Sequence, residues 1–448
     1  MTQALSDLTQ ALLSVAKAAG ADAADAMARS GTSVAVDMRG GTLEHAERSE
    51  GTEIGLRVMI GQRQACVSAS DTRPETLEAM ATRAVAMAKE APEDPYVGLA
   101  DPDQLSARRD AEGLELADDA PEPAPETLQE DAARAEAAAM DVAGVTKIDT
   151  ASAGYGRTEI FIAATNGFAG GYSRTQRSLY CSAIAGEGAG MQRDGDGDGR
   201  LIQSDLRSPE DIGRSAGERA AAMLNARRPA TGRYPVLYDE RIAGSLIAHL
   251  LGAVNGQAIA RGASFLRDAL GEVVLPESLS LVEDPLRKRT SGSRPFDAEG
   301  LPTARRTIVE NGRLTGWTLD LATARKLGLT STGNAARGLS APPSPSTWNV
   351  ELTQGSVTRE DLIKQMGTGL LVTSMIGSTI NANTGEYSRG ASGFWVENGE
   401  IAFPVQECTI AGNLRDMLKR IVPANDARAH LSRVVPSLLV EGLTIAGT

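Results

Sequence analysis

The sequence predicts an α+β fold: an N-terminal helix–meander–helix domain, a middle α/β segment and a β-dominated C-terminal domain with antiparallel sheet. Three observations support this prediction. Apolar residues recur at helical spacing over 4–19 and 74–91, with short alternating runs between them. Helical and strand-like runs then alternate over 126–229. In the last third, Asn311-Gly312 and Asn398-Gly399 each lie between alternating apolar runs, which is a strong hairpin signal.

The N-terminal domain, residues 1–92, is predicted to hold two helices around a small meander. The first helix ends at Gly20, because glycine favours helix C-termini. The second begins at Pro74, because proline is favoured in the first turn of a helix. Strands are predicted at 33–38, 53–60 and 64–68.

A linker or long surface excursion is predicted at 93–125, because this stretch is rich in Pro, Asp and Glu and has no sustained period. A middle domain follows at 126–229 and a β-rich C-terminal domain at 230–448. Helices in these two domains are predicted at 126–143, 209–226, 242–254, 320–327, 359–366 and 413–421, and strands of the middle domain at 159–164 and 178–183.

The charge and hydropathy of the chain exclude two classes of partner. The formal net charge is −13, from 58 acidic and 45 basic residues. No Lys/Arg run offsets this charge locally, so we expect no binding to nucleic acid. The first residues lack the basic and apolar regions of a signal peptide, and no run of about 18 apolar residues occurs. We therefore expect a soluble cytoplasmic protein that does not bind membranes.

The three cysteines also fit a reducing compartment. Cys66, Cys181 and Cys408 are widely spaced and odd in number, which matches neither a disulfide framework nor a CxxC metal site. Each lies in strand-like sequence. We predict that they are buried thiols that pack as small hydrophobic residues.

An Asp-Gly repeat offers a candidate calcium loop. Asp194, Asp196, Asp198 and Asp205 supply oxygens at positions one, three, five and twelve, with Gly199 at position six. Position twelve is Asp rather than the longer Glu, and the preceding residues are rich in Gly and Ala instead of forming a helix. A solvated flexible turn is the alternative.

Several Gly/Asn-rich elements carry a resemblance to a known family. They occur in order at 296–300, 311–312, 331–337, 377–388 and 393–400. Together with the helix–meander–helix opening, they resemble the TldD/PmbA family over nearly the whole chain. The resemblance implies a family fold that occurs in two kinds of chain, only one of which carries a metal-binding motif.

The motif of the TldD kind is an HExxxH helix in which two His bind zinc and the Glu acts as general base. In the corresponding stretch, His249 stands at the first His position. Leu250 then occupies the Glu position and Val254 the second His position. His45 and His430 are far away in sequence. A zinc site needs about three protein ligands, so we expect no catalytic residues and no metal site in this chain.

Loss of the motif resembles the PmbA/TldE kind. This implies a non-catalytic subunit that forms a heterodimer with a TldD-like chain, which supplies the zinc, and that acts on unfolded or extended peptides. Two alternatives stay open: a homodimeric peptide-binding protein without hydrolytic activity, and a stand-alone peptidase with an unusual site at His249, Cys408 or His430. The only GxSxG pattern, at 213–217, lies inside the helix predicted at 209–226, so it is not a nucleophile elbow, and no P-loop occurs.

The residues that we expect to bind substrate lie in the last of the family-like elements. Short polar side chains on a glycine-rich segment can hydrogen-bond an extended peptide backbone. The alternative is that Asn and Gly here only satisfy turn geometry. The candidates are Asn381, Asn383, Glu386, Ser388 and Arg389.

Arginines recur beside Gly, Ser or Asn in these same loops. Arg294, Arg337 and Arg389 can clamp a carboxylate, or they are ordinary surface cations. The second interpretation is the default expectation.

Overall fold

The computed structural model describes residues 2–447. The N-terminal half contains long strands flanked by helices. Its elements are α1 (Thr2–Ala18), β1 (Ala23–Arg39), β2 (Thr42–Ile60), β3 (Arg63–Ala69), α2 (Pro74–Glu90), α3 (Pro125–Met140), β4 (Val145–Ala164), β5 (Ala169–Ala185), β6 (Gln192–Arg200) and α4 (Pro209–Ala222).

The N-terminal and middle segments share one antiparallel sheet in the order β3-β2-β1-β4-β5-β6. β1 pairs with β4 from Asp25 opposite Ala164 to Met38 opposite Ala151. Alternate residues of β1 face α1 and α2 at one end, and α3 and α4 at the other. The intervening residues of β1, including Met27, face the C-terminal half, because side chains alternate across a strand.

Two predicted strands are much longer than their sequence patterns indicated. β2 begins at Thr42 instead of residue 53, and its first half, 42–51, is exposed. This half shows no alternation of apolar and polar residues, because neither of its faces is buried. It is held by a ladder to β1 that starts from the Gly40-Gly41 turn and has one register shift, between Asp37 and Met38 of β1.

The Asp-Gly repeat is neither a calcium loop nor a flexible turn. It forms β6, which pairs with β5 along its whole length. Asp and Gly alternate with period two, so the carboxylates share one face of the strand. Asp196 binds Arg207 and Arg219, each at 2.8 Å. On the opposite face, a Cβ at residue 195 would lie 2.5 Å from the Tyr180 hydroxyl, so the ring occupies the space that glycine leaves.

The segment between α2 and α3 connects the two halves of the molecule. It contains a short 3-10 turn at Pro102–Gln104. Ala100 packs against Leu301 and Leu321 of the C-terminal half. Leu114 and Leu116 pack beside Leu201. The segment is therefore anchored at several points along its surface path.

The C-terminal half is dominated by strands, as predicted. Its elements are β7 (Gly232–Tyr238), α5 (Glu240–Ala253), α6 (Gly256–Ala260), β8 (Leu281–Glu283), β9 (Arg306–Glu310), β10 (Arg313–Leu314), α7 (Leu321–Leu327), β11 (Ala335–Ala336), β12 (Ser344–Pro345), β13 (Val350–Leu352), α8 (Arg359–Met366), β14 (Gly369–Ile380), β15 (Glu386–Glu397), β16 (Glu400–Asn413), α9 (Leu414–Leu418), β17 (Ile421–Pro423), β18 (Arg433–Val434) and β19 (Leu438–Ala446).

The strands of this half form a main sheet in the order β16-β15-β14-β7-β19-β17 and a second sheet in the order β10-β9-β8-β13-β18. Most pairs are antiparallel, while β7–β14 and β13–β18 are parallel. α5 packs on the main sheet, and the largest apolar core lies around it. The α+β fold class with a β-dominated C-terminal half is thereby confirmed.

Candidate functional site

The predicted substrate-binding residues lie together on the β14–β15 hairpin. Asn381 uses its side chain within the turn, where Oδ1 accepts from the backbone N–H groups of Asn383 at 3.0 Å and Thr384 at 3.2 Å. The side chains of Asn383 and Glu386 are exposed at the tip of the hairpin. The tip therefore presents polar groups to solvent, with Asn381 fixing its shape.

The other two candidates point away from the tip. Ser388 is half-buried in β15, opposite Thr379 of β14. Arg389 donates from Nε to the carbonyl of Gly377 at 2.8 Å. Arg389 also lines a cavity of about 440 Å³ with Ala248 and Met375. Arg389 is thus the candidate that contributes to a concave surface.

His249 on α5 lies beside this cavity without forming a hydrogen bond. Its ring meets Tyr387 edge to face, with centroids 6.0 Å apart. Its Nε2 is buried and has no hydrogen-bond partner within residues 2–447. Burial lowers the pKa of His249, and the Arg389 guanidinium lowers it further. The imidazole is therefore neutral at physiological pH.

The surroundings of His249 do not fit a zinc ion. Leu250 and Val254, at the positions of the missing motif residues, are both fully buried in the apolar core around α5. Across the described part of the chain, no group of three or more His, Cys, Asp or Glu side chains is placed to hold a metal. A nearby guanidinium also opposes a dication. A single imidazole supplies one ligand, whereas a zinc site needs about three protein ligands.

The remaining histidines and the third cysteine lie in unrelated environments. His45 is exposed on β2, 3.4 Å from Glu47. His430 lies 3.7 Å from Asp198 of β6. The Cys408 thiol donates to the carbonyl of Ala391 at 3.2 Å, and burial raises its pKa to about 11. A neutral buried thiol is a poor nucleophile.

Sequence reasoning missed a cluster of buried charges between the two halves. Asp25 of β1 accepts a hydrogen bond from Nε of Arg57 of β2 at 2.7 Å, and another from Arg337 of the C-terminal half. Arg337 is not a surface cation, since its side chain is 0% exposed. Asp25 and Arg57 carried no signal, because each stands alone within a strand-like run.

The landmark at 296–300 supplies two carboxyl groups beside this cluster. Asp297 accepts from the backbone N–H groups of Leu301 and Ala335. Glu299 accepts from the N–H of Leu321 at the start of α7. Burial raises the pKa of Asp297 to about 7 and that of Glu299 to about 8; repulsion from Asp320 contributes to both shifts, and repulsion from Asp297 contributes to that of Glu299. The carboxyl groups of the 296–300 motif thus bind backbone N–H groups at the junction of the two halves.

The same landmark packs against the first sheet through aromatic rings. Phe296 meets Phe168 edge to face, with centroids 5.0 Å apart. A Cβ on Gly300 would lie 2.5 Å from the Phe168 ring, so this position requires glycine. On β2, a Cβ on Gly55 would lie 2.2 Å from the carbonyl oxygen of Leu339. The two halves therefore approach to backbone contact.

Comparison with known families accounts for nearly the whole chain. The model of the PmbA/TldA metallopeptidase domain 1 matches residues 24–88. The model of the central domain matches 118–224, and that of the C-terminal domain matches 231–447. These matches meet near residues 225–230, between α4 and β7.

Individual proteins agree with the family match. The chain is 36% identical to the metalloprotease PmbA of Escherichia coli O157:H7 over 430 residues, which are 95% of this chain and 92% of that protein. A crystal structure of a proposed modulator of DNA gyrase from Bacteroides thetaiotaomicron superposes with a TM-score of 0.91 at 27% identity, covering 99% of this chain and 98% of the other.

A third comparison concerns the fold alone. TldE from Thermococcus kodakarensis superposes with a TM-score of 0.85 at 21% identity, covering 98% of this chain and 100% of that chain. The sequence matches, the shared fold and the landmarks at the junction agree with one another. The chain belongs to the PmbA/TldD metallopeptidase family and is of the PmbA/TldE type.

Proposed function

We propose that the chain is the non-catalytic subunit of a two-chain metallopeptidase that cleaves unfolded or extended peptides. A TldD-like partner supplies the zinc, the general base and the stabilisation of the oxyanion. This chain contributes a wall of the substrate chamber and contacts with the peptide. Hydrolysis is then a property of the heterodimer.

The observation that carries this proposal is the set of donors around His249. A zinc site in a peptidase needs about three protein ligands and a carboxylate that takes a proton from the bound water. Here a single neutral imidazole faces Tyr387 and Arg389. Leu250 and Val254 are core residues, so no small rotation of α5 provides further ligands.

The names of the relatives fit this division of labour. The Escherichia coli relative is named a metalloprotease, and the structural neighbour from Thermococcus is named TldE. A family name that records proteolysis is compatible with a subunit whose own residues lack the metal site. Peptide contact by this subunit is proposed at the β14–β15 hairpin, through Asn383, Glu386, Ser388 and Arg389, with Asn381 shaping the turn.

The environment of the protein follows from its thiols and its surface. Cys66, Cys181 and Cys408 are free in the structure. No helix within residues 2–447 has the length and apolar character needed to cross a bilayer. Free thiols persist in reducing compartments, so we place the complex in the cytoplasm.

The test combines metal analysis with a peptidase assay. The purified chain and the chain mixed with a TldD-like partner are each analysed for zinc and assayed on an unstructured peptide. We expect no stoichiometric zinc and no cleavage for the chain alone, and chelator-sensitive cleavage for the mixture. Chelator-sensitive cleavage by the chain alone refutes the proposal.

His249→Ala provides a sharper version of the test. We expect the assembled complex containing this variant to retain its activity, because the imidazole binds no metal. Arg228→Ala serves as a control, since it removes an exposed ion pair with Glu407 and lies outside α5. Loss of activity in the His249 variant alone assigns a catalytic role to this chain. If no second chain co-purifies and a homodimer of this chain binds the peptide, the result favours the alternative of a homodimeric peptide-binding protein without hydrolytic activity.

A further inference from the structure

A cavity at the junction of the two halves is not used by the proposed function. We call it the junction cavity; it has a volume of about 460 Å³, and Arg29, Arg174, Arg294, Arg337, Asp297 and Trp348 are among the residues that line it. Its walls come from β1, β4 and β5 on one side and from the loops around 294–298 and 335–339 on the other. Its volume suits a small ligand or the end of a peptide.

The charge of the junction cavity is opposite to that of the protein. Four guanidinium groups line it against one carboxyl group, that of Asp297, in a chain whose net charge is −13. Both carboxylate oxygens of Asp297 are already hydrogen-bonded to the backbone, since one accepts from the N–H of Leu301 and the other from the N–H of Ala335. Burial also raises its pKa, which weakens its charge near neutral pH. An unbalanced group of cations remains.

Two of these arginines are buried and each has a nitrogen without a hydrogen-bond partner within residues 2–447. The Arg337 side chain is 0% exposed and shares the carboxylate of Asp25 with Arg57, so one negative charge serves two positive ones. Nη2 of Arg337 has no hydrogen-bond partner within residues 2–447. A buried donor without a partner costs stability unless a ligand satisfies it.

Arg174 shows the same deficit. Its terminal nitrogens donate to the carbonyls of Ser291 and Ser293, and its buried Nε has no partner in the described chain. Burial, together with the neighbouring Arg294, lowers the pKa of Arg174 to about 10. Arg294 itself donates to the same two carbonyls and lies over the Trp348 ring. Neither arginine has a carboxylate partner within residues 2–447.

Most of the remaining lining residues are apolar, with Thr158 and Gln176 as the polar exceptions. Met27, Ile160 and Phe296 contribute to the wall, together with the rings of Tyr172 and Trp348. Such a surface selects a ligand whose anionic group is attached to an apolar body, because each part then meets a matching wall. Guanidinium groups bind a carboxylate through paired hydrogen bonds.

From these observations we infer that the junction cavity binds the C-terminal carboxylate of a peptide whose last side chain is apolar. The carboxylate meets Arg174 and Arg337, and the side chain packs against Phe296 and Trp348. This inference rests on the proposed peptide-handling function and adds a recognition element for the free chain end. The hairpin of β14 and β15 is a separate contact.

The test compares two forms of one peptide by calorimetric titration of the full chain. An unstructured peptide ending in Leu is prepared with a free carboxylate and with a C-terminal amide. We expect the free acid to bind about tenfold or more tightly, because a charge-assisted hydrogen bond is lost in the amide. Equal affinity of the two forms overturns the inference.

Two variants assign the preference to the cavity. Arg174→Met removes the buried cation while keeping most of the side-chain volume. Arg29→Gln changes an exposed residue of the rim, so folding is preserved. We expect both to reduce the preference for the acid several-fold, with Arg228→Met as the unaffected control. Retention of the full preference by both variants also overturns the inference.

Other outcomes distinguish the inference from the function on which it rests. Binding of acid and amide with equal affinity refutes the carboxylate site and leaves peptide binding standing. Absence of binding by either form refutes both. Inorganic phosphate is titrated as a third ligand. Tight phosphate binding that depends on Arg174, without a preference for the acid, assigns the cavity to a different oxyanion and overturns the inference.

Discussion

Restoring the missing motif provides a direct test of the reasoning about α5. Leu250→Glu with Val254→His recreates the HExxxH pattern around His249. Both positions are 0% exposed and belong to the apolar core. The change therefore places a carboxyl group and an imidazole where the fold provides only aliphatic neighbours. We expect loss of stability without gain of zinc.

The magnitude for Leu250→Glu has two parts. Removing a fully buried leucine side chain loses roughly 1.5–3 kcal/mol of hydrophobic stabilisation. Burial also disfavours the ionised form of the introduced carboxyl group, and each unit by which its pKa rises costs about 1.4 kcal/mol at pH values above the raised pKa. A rise of about two units brings the total to roughly 4–6 kcal/mol, which is a large part of typical domain stability.

The pH dependence has a definite sign. The introduced carboxyl has a folded-state pKa above its unfolded value near 4.3, so the penalty grows as pH rises above that value. Denaturant unfolding of the variant is measured at pH 5 and pH 8, with zinc content determined in parallel. Leu250→Met, which conserves volume, is the control and costs less than about 1.5 kcal/mol. Wild-type stability together with stoichiometric zinc in the double variant refutes the reasoning.

Three further predictions concern the junction and the surface. Because the folded-state pKa of Glu299 is about 8 against an ordinary 4.5, stability falls as pH rises between these values. In Glu299→Gln, the free energy of unfolding falls less steeply with pH, by up to about 1.4 kcal/mol per pH unit. Denaturant unfolding at several pH values that gives the same slope for variant and wild type contradicts this. Phe168→Ala removes the ring that packs against Phe296 and Gly300, and denaturation shows a loss of about 3–5 kcal/mol; a loss below about 1 kcal/mol is the contrary result. Ile376 is 77% exposed on β14. Ile376→Glu changes thermal stability little but weakens peptide binding at least several-fold, whereas Leu43→Glu on β2 does not; equal peptide binding by both variants argues against peptide contact at this hairpin.

Local chemistry in the sequence determined the hairpins, the helix ends and the absence of a metal motif. Asn311 and Asn398 adopt left-handed backbone angles, φ 46° and 54°, as Asn-Gly turns require. The count of histidines needs no structure at all. These features depend on residues that are close together in the chain.

Other features depended on partners that are far apart in the chain. The exposed half of β2 has no sequence pattern, because it is held mainly by backbone pairing to β1 and neither of its faces is buried. The Asp-Gly repeat became a strand because Arg207 and Arg219 neutralise its carboxylates and Tyr180 fills the space above its glycines. A short window of sequence contains none of these contacts.

The junction between the halves is the clearest case of a feature decided by tertiary structure. Asp25 and Arg337 are 312 positions apart, yet they form one buried ion pair. Sequence alone made Arg337 a surface cation, since an isolated arginine in a loop is normally solvated. Burial, desolvation and charge sharing arise only when the first sheet meets the C-terminal half. The sequence therefore showed that the HExxxH metal-binding motif is missing, and the tertiary structure decided where the buried charges of the chain meet.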